Sequence, residues 1–374
     1  MERNKLYDII IQRKQKLNEL KPLLAKEFVG LDAVIEEVLG LIAPWYLFPE
    51  AQLRPTIINM WGLTGSGKTA LVTRIIELLD HKRLYVHIDM GEFESDSASW
   101  IKSIFTDEFE FFHEQPGVIC LDEFQFARTV SKDGNELGKD KLRVIWDILD
   151  SGKVNYIPYH NSYYMLRAEL CMMNLMKCEE KGVVIKNGIA DYKAEEFVLV
   201  FAEFYFESNS RFNTAVDKDY FLSKDFIDGM FYLHNDPDFH RNIIKARLEN
   251  ASIPDILQML MEGIRRRSAV KQLDLSKSLI FVLGNLDEAY YMSHNLNPDI
   301  SADELHALTC KINISHIKSA LKERFRNEQI ARLGNNHIIY RSFTNQNFRD
   351  IISQRLDVLA KNVEQRFQFS VRFD

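Results

Sequence analysis

The sequence of 374 residues lacks the features of several protein classes. It has only four cysteines, and because Cys120, Cys171, Cys178 and Cys310 form no C-x-x-C pair, we expect free thiols and no cysteine-based metal site. It has no run of about 18 apolar residues and it begins with a charged segment, so neither a membrane-spanning helix nor a signal peptide is expected. A net charge of -7 supplies no overall basic field for nucleic acid. We therefore expect a soluble, cytoplasmic protein with no membrane partner.

What the sequence does contain is a glycine-rich octapeptide directly after an apolar run. Residues 62–69 read G-x-x-x-x-G-K-T and follow the candidate strand 57–61, which is the context of a phosphate-binding loop. The backbone of Gly62, Thr64, Gly65, Ser66 and Gly67 is expected to surround phosphate groups. Lys68 is expected to reach the β and γ phosphates of ATP, and Thr69 to ligate Mg²⁺. A glycine-rich turn without a ligand is the alternative interpretation.

A second apolar run, residues 117–121, ends in two adjacent carboxylates, Asp122 and Glu123. In a P-loop ATPase the first of these would hold Mg²⁺, and the second would orient or deprotonate the water that attacks the γ-phosphate. An apolar run that ends in Asp-Glu also occurs by chance, but here it follows a phosphate loop. The two motifs together predict an ATP hydrolase.

Short apolar runs alternate with segments of helical periodicity, which predicts an α/β fold. Candidate buried strands are 57–61, 84–89, 118–122, 279–285 and 337–343, and they predict a P-loop NTPase with a three-layer α/β/α parallel sheet of five strands. Helices are expected at 1–27, interrupted at Pro22, and at 32–43, 315–325 and 345–363. The polar residues Asp89, Asp122, Glu123 and Asn285 would then share the carboxyl edge of the sheet, where ligands bind.

The stretch between the third and fourth candidate strands is too long for a simple crossover, which predicts an inserted α+β subdomain. In it we expect helices at 162–181 and 255–267 and a strand at 196–206, with Cys171 and Cys178 in a helix core. The expected organisation is an N-terminal helical segment (1–26), a core in two parts (27–155 and 271–343), the insertion (156–270) and the start of a helical lid (344–374).

The motifs resemble, in order along the chain, those of the AAA+ superfamily, and more narrowly those of the second ATPase module of Clp-type unfoldases. Residues 27–32 are similar to the family's viGQ element, 89–93 to DMSEY, 146–154 to vLDeGrl, 281–286 to imTSNLG, and 325–333 to FrPEFlNRiD. The resemblance covers residues 25–155 and 271–374.

This resemblance implies further site residues and an assembly. Val29 and Gly30 would pack on the adenine, and Asn285, at sensor 1, would orient the attacking water. Arg332 would be an arginine finger that reaches the γ-phosphate of a neighbouring subunit, which implies a homo-oligomer, by analogy a ring of six, that remodels a protein partner. Asn285 could instead be an ordinary turn residue, and Arg332 a solvated arginine with Arg324 and Arg326 as rivals.

The sequence also departs from the Clp pattern. It has no aromatic-glycine loop such as Gly-Tyr-Val-Gly. Trp100 lies in the corresponding stretch and could act as an aromatic paddle. Its spacing with Ile104 and Phe105, however, is that of the apolar face of a helix. We expect Trp100 in the core. No Gly-Ala-Arg sensor 2 motif follows the lid helix, so the lid is expected to be truncated or reduced, and Arg366 and Arg372 to be exposed rather than substitutes.

Two alternative functions remain open. Arg265, Arg266 and Arg267, with Lys271, could contact phosphates in a nucleic-acid-associated motor or loader, or could simply complement a helix dipole. A slow ATP-gated oligomerisation switch is the other alternative.

Overall fold

The computed structural model describes residues 2–93, 97–131, 133–137, 142–156, 163–206, 224–234, 241–290 and 300–371. The chain divides into two compact units, which we call the core unit (1–154 and 272–374) and the inserted unit (155–271). Within the described ranges, no helix has both the length and the apolarity needed to cross a membrane.

The strands of the described residues are β1 (Thr56–Trp61), β2 (Tyr85–Asp89), β3 (Val118–Asp122), β4 (Lys153–Tyr156), β5 (Val184–Lys186), β6 (Ile189–Tyr192), β7 (Lys271–Asp274), β8 (Leu279–Gly284) and β9 (His337–Ile339). The α-helices are α1 (Glu2–Glu27), α2 (Asp32–Leu47), α3 (Lys68–Leu78), α4 (Ala98–Phe109), α5 (Arg143–Ser151), α6 (Tyr163–Glu180), α7 (Ala194–Phe206), α8 (Lys224–His234), α9 (Arg241–Glu249), α10 (Ile253–Arg267), α11 (Ala302–Thr309), α12 (Ile314–Lys322), α13 (Asn327–Arg332) and α14 (Asn345–Phe367).

The core unit contains a five-stranded sheet in the order β2-β3-β8-β1-β9, and every pairing in it is parallel. All six residues of β8 are buried, as are the last four of β1 and the first four of β3. Continuous apolar strands are typical of parallel sheets that are covered on both faces. The expected α/β fold with five parallel strands is therefore confirmed, and it has the form of a P-loop-like core.

The first three helices pack with the sheet in one apolar cluster of the core unit. Helix α1 runs through Pro22 without a break, so the expected interruption is wrong. Leu20 and Leu24 on either side of the proline are both buried in this cluster. Their packing outweighs the cost of an internal proline, which is about 3 kcal/mol.

The inserted unit has an apolar core of its own, to which α6, α7, α8 and α10 contribute. Cys171 and Cys178 are buried in this core, as expected. The strand expected at 196–206 is wrong, because these residues lie in α7. Phe197 and Phe201 are four residues apart, fully buried and stacked with centroids 4.6 Å apart, so helical spacing brings both rings to one face. This packing overrides the strand propensity of the aromatic residues.

The buried His337 makes the stability of the core unit depend on pH. It is buried, its Nδ1 accepts a hydrogen bond from Trp61 Nε1 at 3.0 Å, and its Nε2 donates to Gly334 O at 3.1 Å. Burial lowers the pKa of His337, although the hydrogen bond to Gly334 acts in the opposite direction. A histidine with a lowered folded-state pKa stabilises the fold fully above its unfolded pKa of about 6.5, and that stability is lost as pH falls through the folded pKa.

We therefore expect the wild type to lose more stability than His337→Gln between about pH 8 and about pH 5.5, measured by urea unfolding with tryptophan fluorescence. The pKa values of His81 and His234 are also lowered by burial, but these residues are present in both proteins, so the difference reports on His337. Equal losses in the two proteins would contradict the expectation.

Candidate functional site

The glycine-rich loop connects β1 to α3 and has the backbone geometry that a phosphate loop needs. Gly65 and Gly67 have φ values of 78° and 84°, which residues with a side chain rarely adopt. A Cβ at Gly62 would lie 2.5 Å from the Cβ of Tyr340, so only glycine fits there. Among the described residues, no side chain caps the start of α3. The first-turn N–H groups of this helix have no intrahelical acceptor and can receive an anion.

Lys68 lies inside this loop. The residue is 9% exposed, and its Nζ donates to Gly62 O at 2.9 Å, Leu63 O at 3.0 Å and Ser66 Oγ at 3.3 Å. Burial lowers the pKa of Lys68, and the nearby carboxylates of Asp122, Glu123 and Asp287 act against that shift. The ammonium group is thus held in the loop by neutral oxygens, which phosphate oxygens can replace.

Thr69 and Asp122 meet directly at the start of α3. Thr69 Oγ1 donates to Asp122 Oδ2 at 2.6 Å, and His87 Nε2 lies 3.0 Å from the same oxygen. Burial acts to raise the pKa of Asp122, but hydrogen bonds from His87, Thr69 and the Glu123 N–H outweigh it and hold that pKa below its usual value. A hydroxyl beside a charged carboxylate suits Mg²⁺, which binds few protein oxygens and completes its shell with water and phosphate.

His87, which no sequence motif marks, is a further residue of this site. It lies in β2, where it pairs with Cys120 of the neighbouring strand β3. Cys120 is two residues before Asp122. The hydrogen bond to Asp122 raises the pKa of His87, and partial burial opposes that shift. The sequence of β2 alone does not show which residues of β3 lie opposite it, so it does not show that His87 contacts Asp122.

Glu123 turns the chain sharply after β3. It has φ 50° and ψ 39°, a left-handed conformation, and its N–H donates to Asp122 Oδ1 at 2.8 Å. Non-glycine residues in this conformation cost roughly 1 kcal/mol or more and are concentrated at functional sites. The Glu123 carboxylate accepts a hydrogen bond from Gln125 Nε2.

Asn285 follows β8, which lies between β1 and β3 in the sheet. Its Nδ2 donates to Thr64 Oγ1 at 3.2 Å, and its backbone N–H donates to Gln125 Oε1 at 3.0 Å. Asn285 Oδ1 is buried and has no hydrogen-bond partner among the residues that the structure describes. The strands β1, β8 and β3 are adjacent in the sheet, and the loops at their carboxyl ends make these contacts. The structure therefore brings together Lys68, Thr69, Asp122, Glu123 and Asn285.

Val29 and Gly30 lie in the turn between α1 and α2. Gly30 has φ 78°, and a Cβ there would lie 2.7 Å from Asn347 Nδ2 of α14. Arg74 of α3 binds both carboxylate oxygens of Glu27, at 2.7 and 2.8 Å, which ties the end of α1 to α3. The turn therefore lies close to the helix that begins at the phosphate loop, and against α14.

Arg332 is not among the residues around its own phosphate loop. Its guanidinium pairs with Asp147 at 3.5 Å and Asp150 at 3.9 Å, and its side chain is 31% exposed. The rivals Arg324 and Arg326 are 14% and 24% exposed. Arg324 binds both oxygens of Glu288, the shortest contact being 2.7 Å, while Arg326 pairs with Glu136 at 3.3 Å. Arg332 is thus the most exposed of the three.

The segment after Arg332 is tied to the middle of β1. Asn59 Nδ2 donates to Leu333 O at 2.8 Å and to Asn336 O at 3.0 Å, and Asn336 Nδ2 donates to Ile57 O at 2.9 Å. The next residue, His337, begins β9 opposite Asn59. Helix α13 therefore ends towards the amino ends of the strands, whereas the phosphate loop begins at the carboxyl end of β1.

Several expectations outside this site are corrected by the structure. Trp100 is 58% exposed on α4, because Ile101, Phe105 and Phe109 form the buried face of that helix, so the core interpretation of Trp100 is wrong. Arg267 is buried and its Nε donates to Tyr232 O at 2.9 Å, so the three arginines do not form one solvent-facing patch.

The candidate lid helix, α14, has no buried residue. Arg366 is exposed on it, near the ring of Phe367. Arg372 lies outside the described residues.

No protein-family profile matches the chain, and no curated protein matches its sequence. Among solved structures, the S. cerevisiae Hsp104–ADP complex is 15% identical with a TM-score of 0.44, and the match covers 95% of this chain and 40% of that chain. A closed state of Hsp104 with ATPγS and casein gives the same identity, TM-score and coverage. The S. cerevisiae Hsp104–casein complex in an extended conformation is 14% identical with a TM-score of 0.45, over 94% of this chain and 39% of that chain. This chain spans about 40% of the length of these proteins, and likenesses of this size do not establish a family.

Proposed function

We propose that this chain is an ATP hydrolase of the AAA+ superfamily, similar to the Clp branch, with its catalytic site in the core unit. The observation that carries the proposal is the 2.6 Å hydrogen bond from Thr69 to Asp122, made in one site with Lys68, Glu123 and Asn285. A phosphate loop whose Thr meets the carboxylate at the end of another strand of the same sheet is the arrangement that P-loop ATPases use for Mg-ATP.

In this proposal the loop N–H groups and Lys68 bind the β and γ phosphates of ATP. Thr69 and Asp122 hold Mg²⁺, which when bound neutralises charge on the phosphate oxygens. Glu123 accepts a proton from the attacking water, and Asn285 orients that water through its amide. The Oδ1 of Asn285, which has no hydrogen-bond partner in the described part of the chain, supports this role because it can accept a hydrogen bond from the water. Val29 and Gly30 pack beside the adenine.

The proposed assembly is a ring of identical subunits, six by analogy with the Clp branch, in which Arg332 reaches the nucleotide of the next subunit. Its pairs with Asp147 and Asp150 are partly exposed, and such pairs contribute only about 0–1 kcal/mol. Arg332 can therefore leave them at small cost. Arg324 and Arg326 are more buried in ion pairs and are poorer candidates.

The proposed substrate of the ring is a protein. Trp100 supports this choice, because an exposed tryptophan is typical of protein-binding surfaces. The burial of Arg267 weakens the nucleic-acid alternative. We propose that the inserted unit contributes to the choice of partner.

The first test replaces the proposed base. Glu123→Gln keeps the shape of the side chain but cannot accept the proton, so we expect turnover to fall by about 10²- to 10⁴-fold while ATP stays bound. Phosphate release and binding of a fluorescent ATP analogue measure the two quantities. Lys68→Ala should lose binding itself. The control is Glu249→Gln, whose side chain is 43% exposed in an ion pair with Lys245 of the inserted unit, and it should change neither quantity. Normal turnover in Glu123→Gln would refute the assignment.

The second test asks whether Arg332 acts on a neighbouring subunit. Arg332→Ala should still bind ATP but lose turnover by about 10³-fold or more. Mixing it with Glu123→Gln should restore activity, since about a quarter of the interfaces in a randomly mixed ring then combine an intact Glu123 with an intact Arg332. The control is Arg349→Ala on α14, which should keep the turnover of the wild type. No recovery on mixing would show that the two residues do not meet across an interface.

The third test identifies the partner. We expect casein, a largely unfolded protein, to raise the ATPase rate about twofold or more, and Trp100→Ala to reduce that rise while leaving the basal rate unchanged. Stimulation by DNA that falls steeply with salt would instead favour the nucleic-acid motor. Slow turnover that responds to neither, with ATP-dependent oligomerisation, would favour the assembly switch.

A further inference from the structure

The residue that connects the separate parts of the candidate site is Gln125, for which the sequence motifs predict no role. It lies in the short turn Phe124–Ala127 directly after Glu123. Its Nε2 donates to Glu123 Oε2, and its Oε1 accepts from the Asn285 N–H at 3.0 Å. A carboxylate only accepts and a backbone N–H only donates, so the two partners fix the orientation of the amide.

The main chain of Gln125 is held as firmly as its side chain. The neighbouring Phe124 is fully buried, with its ring centroid 5.5 Å from those of both Trp146 and Phe325. Arg324, which binds both oxygens of Glu288, also donates to Gln125 O at 3.4 Å. The turn therefore has an apolar anchor on one side and an ion pair on the other.

The approach of Gln125 to β8 depends on the residue before Asn285. A Cβ at Gly284 would lie 3.3 Å from Gln125 Oε1 and 2.7 Å from the ring of Trp61. Glycine at this position therefore leaves room for the amide beside the end of the strand.

From these contacts we infer that Gln125 is a positioning residue: it holds the carboxylate of Glu123 at a set place relative to the end of β8, and thus relative to Asn285 and the phosphate loop. This inference rests on the proposed ATPase activity and concerns how its base is oriented. A general base is effective only when a third group fixes its direction. A displacement of the base by about 1 Å can lower the reaction rate about 100-fold.

The required chemistry is specific to glutamine. Glutamate at position 125 would keep an acceptor for the Asn285 N–H but would lose the donor to Glu123 and set two carboxylates against each other. Methionine would keep the length of the side chain and lose both hydrogen bonds.

The test measures kcat and ATP affinity separately in Gln125→Glu and Gln125→Met. Both variants should lower kcat by about 10- to 100-fold, because the base is misdirected. Both should leave the Kd for ATP within about 3-fold, since the groups expected to bind phosphate are unchanged. Thermal unfolding shows that the variants are folded. The control is Gln258→Met, at an exposed glutamine of the inserted unit that donates to Glu262 at 3.1 Å, which should match the wild type.

A double variant distinguishes action through Glu123 from a general loss of structure. If Gln125 works by orienting Glu123, then Glu123→Gln combined with Gln125→Met should be no slower than Glu123→Gln alone, within about 2-fold. A further drop in the double variant, or an unchanged or raised kcat in the single variants, overturns the inference while the ATPase proposal stands. If the wild type does not hydrolyse ATP, the ATPase proposal and this inference both fail.

Discussion

The candidate site depends above all on the hydrogen bonding of β8 to β1 on one side and to β3 on the other. β8 is fully buried, and its register sets Gly284 opposite Trp61, the last residue before the phosphate loop. The same register brings Asn285 to Thr64 and to Gln125. Without this pairing the phosphate loop and the carboxylates would not share one edge, because β1 and β3 do not pair with each other. The inserted unit, which precedes β8 in the chain, thus interrupts the sequence of the site without interrupting its sheet.

In the candidate site, burial disfavours the charged forms of Lys68 and Asp122, and nearby charges and hydrogen bonds oppose this effect. Burial favours the neutral form of Lys68, yet carboxylates from β3 and from the segment after β8 favour its charge. At Asp122 three hydrogen bonds win over burial and keep the carboxyl group charged. A polyanionic ligand would add negative charge and oxygen acceptors to this loop, and the loop presents N–H groups and one ammonium to receive them.

Much of this arrangement could be predicted from the sequence, because it depends on local patterns. The apolar runs define the strands, and the glycine spacing and the Asp122-Glu123 pair mark strand ends. The residues that were missed, His87 and Gln125, act through contacts across the sheet, and no local pattern reports such register. The incorrect interpretations have the same origin. The aromatic segment of α7 has strand propensity but packs as a helix, and the face of α4 that is buried begins one residue after Trp100.

Asn59 couples the two ends of the core sheet. With Asn336 it joins the strand that leads into the phosphate loop to the segment that follows Arg332, through hydrogen bonds of about 1 kcal/mol each. These hydrogen bonds fix the backbone of residues 333–336 relative to the middle of β1. Moving the backbone that follows Arg332 away from β1 would therefore break three hydrogen bonds, whereas the Arg332 side chain can exchange its partly exposed ion pairs at small cost.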